Sequence, residues 1–210
     1  MAQQSWAMSK YRQIGFLMEA GQDVDPNEYQ NNPERIDKLL SAGVDYKDKK
    51  KRYWVDKGHD CFAIYARGLN ITNSDRPVYW QWLTDSDGIE MAKVVKTRWL
   101  EVRGSFWTMN LSPNVPYKVS FRTRIDNTPY STMNGQSVNL RLTLPDGTYQ
   151  ERQAELPGKK LQDNDPWYEL EVGQFNMTAQ NVGKMEFAME QLFGRWRAGL
   201  VIKSVQIKTM

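Results

Sequence analysis

Tyr117-Lys-Val-Ser-Phe-Arg-Thr-Arg-Ile125 alternates without a break: Tyr117, Val119, Phe121, Thr123 and Ile125 on one side, Lys118, Ser120, Arg122 and Arg124 on the other. A period of two over nine residues predicts a strand with one buried face and one wet face. The same period appears on either side of it. Phe62, Ile64 and Ala66 alternate with Cys61, Ala63 and Tyr65; Val138, Leu140, Leu142 and Leu144 alternate with Asn139, Arg141 and Thr143. Leu170 with Val172, and Met185 with Phe187 and Met189, repeat it. In the last segment Leu200 and Ile202 are in phase while Val205 and Ile207 are one residue out, which predicts a bulge at Lys203-Ser204. Asn134-Gly135 and Pro145-Asp-Gly147 are turns, because Asn and Gly accept positive φ. Short one-faced strands separated by such turns specify an all-β chain, an antiparallel β-sandwich. Gly88–Lys96, with Ile89, Val94 and Val95, reads as a short helix between strands.

The first fifty residues differ. Gln4–Ala20 places Tyr11, Ile14, Leu17 and Met18 at helical spacing, with Gly21 as a stop. Pro33 suits the first position of a second helix to Ser41, whose apolar edge is Ile36, Leu39 and Leu40. The division expected is a helical extension over 1–50 and a β domain over 51–210. Lys47-Asp-Lys-Lys-Lys-Arg52 is read as a solvated hinge between them.

The net charge of +3 is too small and too scattered for a dedicated nucleic-acid binder. A single cysteine, Cys61, excludes an intrachain disulfide and suits a reducing compartment. No apolar run resembles a signal peptide or a membrane span, so the expectation is a soluble, cytoplasmic protein with no membrane contact. The glycosylation patterns at Asn70, Asn110 and Asn176 then go unused.

No catalytic constellation is present. His59 is the one histidine, and neither a nucleophile nor an orienting acid flanks it in a recognised pattern. Two Cys/His residues cannot build a zinc site, and Asp85-Ser-Asp87 and Asp163-Asn-Asp165 are too short for calcium; no metal and no cofactor is expected. Glu169 and Glu171 share a strand face about 7 Å apart, inside the range of an inverting glycosidase pair of about 6.5–9.5 Å. Neighbours on one strand lie side by side instead of flanking a bond, so they read as a solvated face. Sugar binding needs only exposed rings beside hydrogen-bonding groups. Asn73-Ser-Asp-Arg-Pro-Val-Tyr-Trp80 offers that mixture: Asn73, Asp75 and Arg76 in a turn, then Tyr79 and an exposed Trp80 at a strand entrance, with Trp82 in the core.

Leu69-Asn-Ile-Thr-Asn-Ser-Asp-Arg-Pro-Val-Tyr-Trp-Gln-Trp82, Arg98-Trp-Leu-Glu-Val-Arg-Gly104, Asp165-Pro-Trp-Tyr-Glu-Leu-Glu-Val-Gly-Gln-Phe175 and Gly199-Leu-Val-Ile-Lys-Ser-Val-Gln-Ile-Lys208 occur in an order that resembles the phloem protein 2 (Nictaba-related) plant lectins, from Tyr53 to the C-terminus. The resemblance implies a jelly-roll sandwich and binding of N-acetylglucosamine (chitin) oligomers or N-glycans without catalysis, in plant defence. Of the family's two binding tryptophans, one maps onto Trp80; the other maps onto Asn73, a departure that removes a stacking ring, with Trp107 and Trp6 as its substitutes. The family's acidic residues near the C-terminal strands map onto Glu186 and Glu190, and Trp196 in the next turn is a second aromatic contact. It further implies a homodimer, a place in phloem sap and a phloem filament partner; an exposed Cys61 would add an intermolecular disulfide. The alternative is an RNA or protein carrier using Lys118, Arg122 and Arg124 against phosphates.

Overall fold

The computed structural model describes residues 2–126, 128–157, 167–192 and 194–210, with side chains from Ser9 onward. Asp163-Asn-Asp165 and the Trp6 side chain lie outside the described residues. Among those residues the chain runs through α1 (Ala2–Glu19), α2 (Glu28–Asn31), α3 (Pro33–Ala42), β1 (Val44–Tyr46), β2 (Lys51–Asp56), β3 (His59–Tyr65), β4 (Asn70–Ile71), β5 (Trp80–Thr84), β6 (Glu90–Val94) and β7 (Leu100–Trp107). It continues through β8 (Pro116–Ile125), β9 (Ser137–Thr143), β10 (Tyr149–Glu155), β11 (Tyr168–Asn176), β12 (Lys184–Gln191) and β13 (Leu200–Thr209).

Two antiparallel sheets form a sandwich. The smaller has the order β10-β9-β12-β7-β4. The larger, of eight strands, is built around β13: β8 and then β11 lie on one edge, while the other edge is shared end to end by β3 and β6. Tyr117, Val119, Phe121 and Thr123 are buried as their alternation requires. The register of β13 against β8 shifts between Ile202 and Ser204, and Leu200, Ile202, Val205 and Ile207 are all buried, as the predicted bulge demands.

Both predicted helices form. On α1, Ile14 and Leu17 are buried, whereas Tyr11 and Met18 stay exposed, so the apolar stripe is narrower than its spacing implied. Asn32 caps α3 by accepting a hydrogen bond from the Arg35 N–H, and Pro33 takes the first turn. Gly43 ends it at φ 77°, and a Cβ there would lie 2.9 Å from the Cβ of Trp54, so glycine is required twice over. These helices cover the inner face of β2 and β3. Phe16 packs on Tyr53 (4.5 Å between centroids) and Phe62 (5.3 Å), and Phe62 reaches Phe106 of the smaller sheet (4.8 Å). Ile14, Leu17, Ile36 and Leu40 share one apolar cluster with the sandwich.

Under α1 lies a buried polar node. The Asp60 carboxylate accepts from Arg12, from the Tyr53 hydroxyl (2.7 Å) and from the Ser112 hydroxyl (2.8 Å), while the Tyr117 hydroxyl donates to the Asp60 carbonyl (2.9 Å). Burial raises the Tyr53 phenol far above its ordinary value and pushes Tyr117 up to about 12, so both remain neutral donors.

Two readings are corrected. Lys47–Arg52 is not a hinge: Lys47, Asp48 and Lys49 take positive φ in the turn of a β1–β2 hairpin, and Lys51 and Arg52 belong to β2. A boundary at residue 50 therefore falls inside a sheet. Gly88–Lys96 contains the strand β6 (Glu90–Val94), not a helix; Met91, Ala92 and Val94 are all buried, which hides the period of two. No helix of the described residues is long and apolar enough to cross a membrane.

Candidate functional site

The outward positions of the smaller sheet follow from its registers. One row runs Tyr149, Thr143, Glu186, Ser105 across β10, β9, β12 and β7; the next runs Glu151, Arg141, Ala188, Arg103, Asn70; a third runs Gln153, Asn139, Glu190, Glu101. Ala188, the small residue at the centre, leaves a hollow between the two arginines. The first two rows, together with Gly68, Gly104 and Lys184, line a groove of about 700 Å³, and the third row lies beside it. Gly104 is obligatory in its floor, since a Cβ there would lie 2.3 Å from the Phe187 ring.

A continuous ionic chain holds the groove. Glu190 receives Arg141 (3.3 Å) and Arg103 (2.9 Å), and Arg103 also reaches Glu101 (2.7 Å). Glu101 accepts further hydrogen bonds from the Trp99 indole N–H (3.0 Å) and the Thr72 hydroxyl (2.7 Å), which with Arg103 hold its carboxyl below the usual range. Glu186 is lowered in the same way by Lys184 at 2.8 Å. The exposed rings at the opposite end are Trp107, beside Lys184, and Tyr149.

The Thr72–Tyr79 turn joins this chain through Thr72. Asn73, at φ 60°, and Asp75 are exposed in that turn, and Tyr79 is half-buried. Trp80 is not the exposed ring expected of it. Its side chain is 2 % exposed and its indole N–H donates to the Thr72 carbonyl (3.0 Å). Paired with Val94 on β6, it faces the core, as its alternation with Trp82 permits. Trp82 is half-buried, bonds the Ser74 carbonyl (3.2 Å), and carries the Arg67 guanidinium on its ring (3.5 Å). Both indoles prop the turn from beneath. Glu186 lines the groove and Glu190 anchors its charges; Arg76 and Trp196 are exposed on loops at the end of the sandwich, away from the groove lining. Arg103, Arg141, Glu101 and Thr72 were missed by sequence reasoning, although Arg103 sits in a quoted motif and both arginines fall on the wet phase of their strands.

Other candidates find ordinary roles. His59 begins β3; Cys61 is buried, its thiol pushed up by burial, so the exposed thiol needed for an intermolecular disulfide is absent. Glu169 is paired with Lys208 and Lys118, and Glu171 with Arg152 (3.3 Å). The basic face of β8 is thereby interleaved with acid, which weakens the case for phosphate contacts there.

A family model described as Phloem protein 2 matches residues 59–209. Protein PHLOEM PROTEIN 2-LIKE A1 of Arabidopsis thaliana is 32% identical over 180 residues, 82% of this chain and 72% of that protein. A lectin of Luffa acutangula is 30% identical over 204 residues, 93% and 94% of the two chains. Among solved structures, the C-terminal CBM6 of LamC from Zobellia galactanivorans matches 70% of this chain and 98% of its own at 16% identity and a TM-score of 0.40.

Proposed function

Because the chain belongs to the phloem protein 2 family, we propose that the groove on its smaller sheet is a non-catalytic carbohydrate site for N-acetylglucosamine oligomers, as in chitin or N-glycans. The observation that carries this reading is the pair Arg141 and Arg103, which flank a groove floor of Ala188 and Gly104 and are held by ion pairs to Glu190 and Glu101 beside the groove. Sugar hydroxyls donate and accept at once, and charges already locked in pairs present both functions at little reorganisation cost. Glu186, Ser105 and Asn70 add polar contacts along the floor. Tyr149 and Trp107 supply faces for the C–H side of a ring, with Asn73 and Asp75 closing the Thr72 end. Glu101 and Glu186 are held below the carboxylate range, the wrong direction for a general acid at neutral pH, which supports binding without hydrolysis. A homodimer in phloem sap would gain avidity from two such grooves.

Calorimetric titration of chitotriose, at low and high salt, tests this reading. Saturable binding that resists salt and weakens in Glu186→Gln and Arg103→Ala supports it. Absence of heat at millimolar sugar, or binding unchanged in both variants, refutes it.

A further inference from the structure

Away from the groove floor, four loop segments are tied together by backbone hydrogen bonds. The Val95 N–H donates to the Tyr79 carbonyl (2.9 Å), Thr97 and Arg197 exchange two bonds (2.9 and 2.8 Å), and the Thr132 N–H donates to the Ala198 carbonyl (3.0 Å). Residues 76–79, 95–99, 128–132 and 195–198 thus form one end of the sandwich. That end is unusually apolar at its tips: Val78 is 60% exposed, Val95 40%, Trp99 40%, Trp196 46% and Tyr130 82%. Single exposed apolar residues are ordinary, but five on joined loops mark a contact surface.

The charge is as one-sided as the polarity. The four segments carry Arg76, Lys96, Arg98 and Arg195, all exposed, besides the buried Arg197, and contain no Asp or Glu. None of these four cations is in an ion pair among the described residues. Of the carboxylates beside them, Glu101 is already engaged by Thr72, Trp99 and Arg103, and Asp75 precedes Arg76 in the turn.

We propose that this end docks on an anionic phospholipid surface. Val78, Val95, Trp99 and Tyr130 enter the headgroup layer, where aromatic rings and short aliphatic side chains are favoured. Arg76, Lys96, Arg98 and Arg195 bind the negative headgroups. A single-stranded nucleic acid fits less well: valines offer no π-face for a base, and the Trp196 ring already holds Lys96 (4.6 Å) and Arg98 (5.2 Å). A neutral sugar has no use for four cations that have no carboxylate partner among the described residues. β7 runs from this end at Leu100 to Trp107, about 23 Å away along the strand, so a docked molecule keeps the Trp107 and Tyr149 end of its groove clear of the lipid.

The test is flotation of the full chain with vesicles of phosphatidylcholine containing about one third phosphatidylserine, against phosphatidylcholine alone. The expected result is binding to the anionic vesicles only, weakened by salt. Loss should reach about fivefold per charge in the Arg76→Gln, Lys96→Gln, Arg98→Gln, Arg195→Gln series, and binding should vanish in Val78→Asp with Val95→Asp. Thermal unfolding is followed in parallel, so that a folded variant that no longer floats counts for the surface. Failure of the wild type to float at low salt overturns the proposal, as does undiminished flotation of the quadruple variant. So does displacement from vesicles by an equal concentration of oligouridylate, which would make the surface one for nucleic acid.

Discussion

Asp60 and Glu190 are both carboxylates wrapped by cationic and hydroxyl donors or by arginines, on opposite sheets, and they do opposite things. The Asp60 side chain is fully buried beneath α1, where it accepts from Arg12, Tyr53 and Ser112. Glu190 is 14% exposed, and its partners Arg103 and Arg141 are 50% and 40% exposed. Removing a partner from a dry pair strands a charge, whereas water replaces a partner lost from a wet one. Burial therefore makes the first network a fastener for the helices and leaves the second available to a ligand. Trp80 falls on the Asp60 side of this divide, and Trp107 on the Glu190 side.

Substitutions can break or sharpen the contrast. Trp80→Ala has the largest expected effect, a loss of about 3–5 kcal/mol in urea unfolding from the cavity it leaves; a loss of sugar binding at unchanged stability would instead put the ring in the site. Asp60→Ala should cost about 3 kcal/mol, since the Arg12 charge and two buried hydroxyls lose their acceptor, and early release of α1 would be read by hydrogen exchange. Arg103→Ala should change stability by less than about 1 kcal/mol while weakening chitotriose about tenfold. If it unfolds the chain as badly as Asp60→Ala, the two networks are not different in kind.

The smallest effect concerns pH. The Glu101 carboxyl is lowered by Trp99, Thr72 and Arg103, so its stabilisation is complete above the ordinary carboxylate value and is lost as pH falls through the lowered one. Glu101→Gln should flatten the acid limb of the stability curve by a few tenths of a kcal/mol, and an unaltered limb would show that the cluster contributes nothing when wet.

The strands with one wet face were legible: Tyr117–Ile125 and the out-of-phase ending of the chain needed only a count of two. β6 was not, because Met91, Ala92 and Val94 are buried on both faces and no alternation survives. The β1–β2 hairpin was hidden for another reason. Its turn is made by Lys47, Asp48 and Lys49 at positive φ, residues that ordinarily announce solvent and not a tight reversal. Of the candidate site, Glu186 and Glu190 were singled out by the family resemblance, and their phase against Met185, Phe187 and Met189 set them facing outward. The exposure of Trp80 was not, because it depends on Thr72 and β6 covering a ring that sequence leaves at a strand end.

The sequence by itself determined that this chain is an all-β sandwich with helices before it, and which side chains meet water on the strands with one wet face, because period and turn chemistry are local properties. Tertiary structure alone decided which wet residues meet one another. Arg141, Glu190, Arg103 and Glu101 come from three strands, β9, β12 and β7, that are dispersed along the chain, and only the order β9-β12-β7 sets them side by side. Strand order is fixed by the mutual burial of whole sheet faces, a long-range quantity that no window of sequence contains.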